Sequence, residues 1–103
     1  ATPELFQQRN ALAKTGVVSV VILRKRDSKA LITAPAIHVY GLLYHRSEAN
    51  EGIIEEAQFH LEAVCEKHKK DPDLSEVLRV ETRRFFKKRV SHKPTVLPLI
   101  LDL

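Results

Sequence analysis

Three side chains in one segment of the chain have the chemistry to bind a metal ion: His60, Cys65 and His68. Cys65 and His68 are three residues apart, a spacing that puts both on one face of a helix. A structural zinc site needs four ligands, usually supplied as two short-spaced pairs, and the sequence contains no second pair. Cys65 also falls on an apolar helical stripe. We therefore expect a buried structural cysteine, neither a metal ligand nor a nucleophile.

Two pairs of carboxylates could in principle act as a general acid and a general base. They are Glu55 with Glu56 and Asp71 with Asp73. The first pair is typical of the solvated start of a helix, and the second of a capped turn. The glycines are too scattered to form a loop that holds phosphate groups. The sequence therefore predicts no catalytic residue, no metal site and no cofactor within this chain.

A basic segment is the strongest functional signal. From residue 83 to residue 93 the chain reads RRFFKKRVSHK without an acidic residue, and the net charge of the chain is +4. Cations at adjacent and four-residue spacings can contact phosphates without reading base sequence. A solvated helix end is the alternative, because cations are favoured there. The RNA-contact candidates are Arg83, Arg84, Lys87, Lys88, Arg89 and Lys93.

Length and composition indicate one globular domain with one hydrophobic core. The chain has 103 residues, of which 44% are hydrophobic and 29% charged; these values are ordinary for a folded domain. Its single cysteine rules out an internal disulfide and predicts a reducing, cytoplasmic location. No apolar run is long enough to span a membrane. Because methionine is absent, we expect a fragment or a processed chain.

The first half of the chain predicts one helix and then extended structure. Pro3–Lys14 is followed by a glycine and is typical of a helix. Val17–Arg26 is a continuous β-branched run, which predicts a strand that is covered on both faces or central in its sheet. Ala30–Arg46 is interrupted by Pro35 and Gly41, so it predicts two strand pieces with an irregular joint.

The second half predicts two helices and a closing strand. Apolar residues recur at three- and four-residue steps over residues 53–68, typical of a helix facing a core. Asp73 and Glu76 form a variant of the capping box and predict the start of the second helix, whose Phe85 and Phe86 are expected in the core. The tail TVLPLILDL predicts a strand, in which Pro98 favours an edge or a bulge.

These elements predict an α+β two-layer sandwich, in which two helices cover one face of a three-stranded sheet. The element order is β-β-α-α-β, with a short N-terminal linker helix. Residues 1–15 are expected to be the end of the linker helix, and residues 16–103 the α+β domain.

Four stretches together resemble the C-terminal domain of the ribonuclease J family along nearly the whole chain. They are RNALAKTGVVSVVIL (residues 9–23), APAIHVYGLLYHRSE (34–48), GIIEEA (52–57) and FFKKRVSHKPTVLPLILDL (85–103). One stretch departs from the family, which usually reads Ser-Arg-Gly-Phe where this chain has Val39-Tyr40-Gly41-Leu42. No role of that arginine or phenylalanine is therefore carried over to Tyr40 or Leu42.

The resemblance implies a parent enzyme with a metallo-β-lactamase core and a β-CASP insertion. Such an enzyme uses two divalent metal ions, zinc or manganese, to degrade mRNA and process other RNA as a 5′-to-3′ exonuclease and endonuclease. Its metal-ligating HxHxDH motif is absent from this sequence. The resemblance further implies that this domain contacts the catalytic domains of its own enzyme, and that it supports a homodimer or tetramer and full activity.

Two hypotheses of function follow. In the first, the chain is a non-catalytic assembly module of the nuclease, helped by the free edges of a small sheet. In the second, it is an independent RNA-binding module that uses the basic segment. The alternative to both is a domain that only packs against the rest of its own enzyme. None of these hypotheses involves a membrane.

Overall fold

The computed structural model describes residues 16–41, 47–90 and 93–103. The predicted helix Pro3–Lys14 and the boundary after residue 15 lie outside these ranges. The described elements, in chain order, are strand β1 (Val17–Arg24), strand β2 (Ala36–Tyr40), helix α1 (Ser47–Lys67), helix α2 (Leu74–Val90) and strand β3 (Thr95–Asp102). The order β-β-α-α-β is the predicted one. Among the described residues, neither helix is long and apolar enough to cross a membrane.

The sheet is mixed, with the strand order β2-β1-β3. β1 runs antiparallel to β2 and parallel to β3, and the parallel pair requires a long crossover. The two helices supply that crossover. β1 is therefore central, as one of the two sequence alternatives predicted. The other alternative, a strand that is covered on both faces, is wrong, because the side chains along β1 alternate between fully and partly buried.

The hydrophobic core lies between the sheet and the two helices, which confirms the predicted two-layer sandwich. β1 contributes Val18, Val20 and Ile22, all completely buried. The helices contribute Leu61 from α1 and the completely buried Phe86 from α2. The remaining buried apolar residues are Ile37, Ala57, Val64, Cys65, Leu74, Leu78 and Val96. Burial of this apolar surface is the main favourable term in folding.

The interruption at Pro35 lies where the sequence predicted it, but the piece before it forms one isolated bridge and not a strand. Leu31 forms an isolated bridge with Arg24, and the regular strand starts at Ala36, directly after the buried Pro35. β2 is followed by Gly41 at φ 78°, a left-handed conformation that glycine adopts without steric cost. The rest of the second predicted strand piece, residues 42–46, lies outside the described ranges.

The start of α2 differs from the predicted capping box. Asp73 precedes the helix and its carbonyl accepts the hydrogen bond of Val77 N–H at 3.1 Å. In a capping box the side chain of Glu76 would accept a hydrogen bond from the backbone N–H of Asp73. That N–H donates to Asp71 Oδ1 at 2.8 Å instead. Glu76 pairs with Arg79. The helix boundary was therefore predicted correctly, but not the bonds that form it.

Candidate functional site

The sheet face opposite the helices carries apolar side chains that are accessible to solvent. β3 presents Leu97, Leu99 and Leu101 there, which are 55%, 51% and 41% exposed. We call this surface the open face. Strand register and burial assign to it Val17, Ser19, Val21 and Leu23 of β1, Ala36, His38 and Tyr40 of β2, and Thr95, Leu97, Leu99 and Leu101 of β3. None of these eleven residues is an acid, a lysine or an arginine.

The open face arises because β1 and β3 carry apolar residues at both odd and even positions, and therefore on both faces of the sheet. In β3, Val96 and Ile100 point toward the helices, and the leucines between them point away. A sheet with one solvated face normally alternates apolar and polar residues. The sequence showed the continuous apolar runs, but the open face was not predicted. The sequence did contain a signal for the open face. Two predicted helices cover one face of the sheet, whereas β1 and β3 carry apolar residues on both faces.

A cavity of about 300 Å³ lies on α2 and the segment that leads into β3. We call it the cationic cleft; its lining residues are Arg79, Val80, Arg83, Arg84, Lys87 and Lys93. Four of the six predicted RNA-contact candidates are thus brought together. Arg79 was missed because Glu81 lies between it and the basic segment. Its signal was the four-residue spacing that aligns it with Arg83 and Lys87 on one helix face.

The other two candidates do not line this cleft. Arg89 lies on the side of α2 that faces α1, where its guanidinium pairs with Glu56 and lies 5.3 Å from the ring centroid of Phe85. Lys88 is exposed. Phe85 is on the same helix as Arg89, so of these two contacts only the ion pair with Glu56 connects α2 to α1. Between half-exposed side chains such a pair contributes at most about 1 kcal/mol.

The ion pairs of the cleft residues divide them into two groups. Arg84 Nη1 lies 3.6 Å from Glu81 Oε1, and Arg79 Nε donates to Glu76 Oε2 at 2.9 Å. Within the described ranges, Arg83, Lys87 and Lys93 form no ion pair. All three side chains are exposed, so their charges are available to a ligand.

The potential metal ligands of α1 and the turn after it have separate partners. His60 Nε2 lies 3.2 Å from Glu81 Oε2, and His68 Nδ1 lies 3.7 Å from Asp71 Oδ2. Cys65 is 2% exposed, and burial raises the pKa of its thiol to about 11, so the thiolate is disfavoured. In the described part of the chain, no three His, Cys, Asp or Glu side chains are placed to hold a metal ion.

A buried arginine joins the ends of three elements. Arg24 of β1 donates from Nε and Nη2 to the carboxylate of Asp102 in β3, at 2.8 and 3.0 Å. Its Nη1 donates to the carbonyl of Lys69, just beyond α1, at 3.1 Å. Lys29 Nζ adds a third bond to Asp102 at 2.8 Å. Hydrogen bonds from Arg24 and Lys29 lower the pKa of Asp102 to about 2. We assign this cluster a structural role.

The described residues form an α+β domain with an apolar sheet face on one layer and a cationic cleft on the other. The family described as the ribonuclease J C-terminal domain matches residues 5–103. The chain belongs to that family.

A similar protein is ribonuclease J2 of Bacillus subtilis (strain 168), which is 23% identical over 104 residues. The match covers 96% of this chain and 18% of that protein. The chain thus spans less than a fifth of the length of its relative.

Proposed function

We propose that this chain is the non-catalytic domain through which a ribonuclease J-type enzyme assembles. The parent enzyme would degrade mRNA and process RNA in the cytoplasm as a 5′-to-3′ exonuclease and endonuclease. The chain would support its oligomerisation and full activity, and would contact its catalytic domains. Family membership supports the choice of enzyme, and the open face supports the choice of role.

The size of the open face is that of an interaction site. β1 and β3 have eight residues each and β2 has five, so the three strands cover roughly 330 Å² in projection at about 3.3 Å per residue and about 4.8 Å per strand. The largest apolar patches on soluble monomers measure about 300–600 Å² and are often functional. A standard interface buries about 800 Å² on each partner. The open face alone therefore supports a weak contact, which other contacts in the whole enzyme would strengthen.

The chemistry of the open face fits a second copy of the same chain. A two-fold interface brings a surface against itself, and like charges on that surface would repel. The open face carries no acid, lysine or arginine, so no such repulsion arises. Two apolar sheet faces can pack about 10 Å apart with interdigitated side chains. The leucines of β3 would then be buried against the partner sheet.

Metal chemistry belongs to the parent enzyme in this proposal. The two divalent ions, zinc or manganese, require a ligand set of the HxHxDH kind, which this sequence lacks. The described residues offer no group of three ligands in its place. The residues that precede this chain in its gene are therefore expected to contain the motif. A gene without it would contradict the nuclease assignment.

The proposal is tested on the parent enzyme with and without residues 1–103. Deletion is expected to lower the mass of the assembly in light scattering and to reduce the rate of RNA hydrolysis. The isolated chain should hydrolyse no RNA with zinc or manganese added. A truncated enzyme with unchanged mass and unchanged rate would contradict the role in assembly, and would favour a domain that only packs on its own enzyme body.

A further inference from the structure

We infer that the cationic cleft binds the sugar-phosphate backbone of single-stranded RNA without reading its bases. Five of the six lining residues are cations and none is an acid. Neutralisation of phosphates by such side chains releases condensed counterions and supplies affinity that is independent of sequence. The choice of RNA among polyanions rests on the proposed nuclease function. Affinity for a polyanion as such rests only on the cations that line the cleft.

The three cations without an ion pair among the described residues provide the contacts. Arg83 offers a planar guanidinium that donates two parallel hydrogen bonds to one phosphate. Lys87 and Lys93 add compact charges that point into the same cavity. Arg79 and Arg84 are held by Glu76 and Glu81. Their role is to keep the cleft positive, whereas the three others bind.

Stabilisation of the helix end does not explain the cleft. The helix dipole favours cations within the last turn, where α2 has Lys87, Lys88 and Arg89. Arg79 and Arg83 lie further from that end. Cations four residues apart repel each other along a helix, so the alignment of Arg79, Arg83 and Lys87 destabilises α2. A bound polyanion removes this repulsion, which a solvated helix face would retain.

The shape of the cleft favours a single strand. Its volume of about 300 Å³ lies at the small end of ligand sites, enough for a phosphate with part of its sugar. Val80 lies in the cleft and is 36% exposed, so it offers an apolar contact to that sugar. The cleft is lined by no aromatic side chain, and the exposed pair of His38 and Tyr40 lies on the open face, in the other layer. Binding in the cleft is therefore expected to be independent of base identity.

The test uses the 103-residue chain and a fluorescent oligouridylate of about 12 nucleotides, a length within the usual range for single-strand sites. The phosphate in the cleft and one on either side of it, each neutralised by one of the three cations, predict a slope of about −2 in log affinity against log salt, or about a 20-fold loss between 50 and 200 mM salt. Fluorescence anisotropy at several salt concentrations measures both quantities. An oligoadenylate of equal length is expected to bind within about threefold.

A charge-matched pair of variants separates the cleft from net charge. The cleft variant is Arg83→Gln/Lys87→Gln/Lys93→Gln. The control is Lys25→Gln/Arg26→Gln/Lys67→Gln, which also removes one exposed arginine and two exposed lysines. The cleft variant is expected to lose at least tenfold in affinity and to reduce the salt slope by about two. The control should lose less than threefold.

Equal losses in the two variants, or no binding by the parental chain at 50 mM salt, would overturn the cleft. Equal or tighter binding of an oligoglutamate peptide would overturn the choice of RNA in favour of an acidic protein segment. Circular dichroism is used to check that the cleft variant is folded. Its self-association, measured in parallel, should equal that of the parental chain, because the cleft and the open face lie on opposite layers. Failure of RNA binding and failure of assembly are therefore distinguishable.

Discussion

Replacement of Leu99 by threonine tests whether the open face associates with a second copy. Leu99 is 51% exposed in the monomer, so about half of its burial remains to be gained in a dimer. Threonine has two fewer carbon atoms, worth about 0.8 kcal/mol each on full burial. Half of that sum is about 0.8 kcal/mol per copy, or about 1.6 kcal/mol in a two-fold dimer. The dimer of the Leu99→Thr variant should dissociate with a Kd about 15-fold higher.

Sedimentation equilibrium of the 103-residue chain over a wide concentration range measures this constant. Phe59→Thr is the matched control, because Phe59 is 78% exposed but lies on α1, in the other layer. Threonine favours strands, so the Leu99→Thr monomer should unfold at nearly the parental denaturant concentration. An equal Kd for Leu99→Thr and the parental chain would refute the reasoning, and so would an equal effect of Phe59→Thr.

Three further predictions concern the interior. Because the pKa of Asp102 is lowered from 3.8 to about 2, the stability it provides is complete above about pH 4 and is lost as the pH falls toward 2. Asp102→Asn should lower the urea midpoint at pH 7 and change it little at pH 2; equal losses at both values would contradict the role of the ion pairs of Asp102 with Arg24 and Lys29. Thr82 Oγ1 is buried without a hydrogen-bond partner among the described residues, so Thr82→Val should stabilise the fold by about 1 kcal/mol and raise Tm by about 4–8 °C; a lower Tm in calorimetry would show that the hydroxyl is paired. The thiol of Cys65, with its pKa raised to about 11 by burial, should react with an aromatic disulfide reagent far more slowly in the folded chain than in denaturant; equal rates would contradict its burial.

The sequence predicted the elements well because each has a strong local signal. The β-branched run of β1, the helical stripe of α1 and the tail of β3 each allow one regular structure. The start of α2 after Asp73 was predicted correctly. α1 starts at Ser47, six residues before the predicted stripe at residue 53, so Glu55 and Glu56 lie inside the helix and not at its start. The Asp73–Glu76 capping bonds were not predicted correctly, because Asp71, two residues earlier, competes for the same backbone N–H. Local patterns do not show which of two nearby carboxylates a donor selects.

The surfaces were harder to predict, because they depend on how elements meet. Arg89 belongs to the basic segment in sequence, but its rotation around α2 turns it to Glu56 and away from the cleft. Arg79 lies outside the segment and joins the cleft. The open face was not predicted, although both helices were placed on one side of the sheet and the sequences of β1 and β3 are apolar on both sides. Arg24 and Asp102 are 78 residues apart, and only the parallel pairing of β1 and β3 brings them together.

The most direct test of the assembly role is the mass of the whole parent enzyme carrying Leu97→Thr, Leu99→Thr and Leu101→Thr together. Multi-angle light scattering should show a smaller assembly than that of the parental enzyme at the same concentration. The parent enzyme with Phe59→Thr should keep the parental mass. If the triple variant is folded and keeps the full mass of the assembly, the open face does not join the copies, and the proposed function of this domain is contradicted.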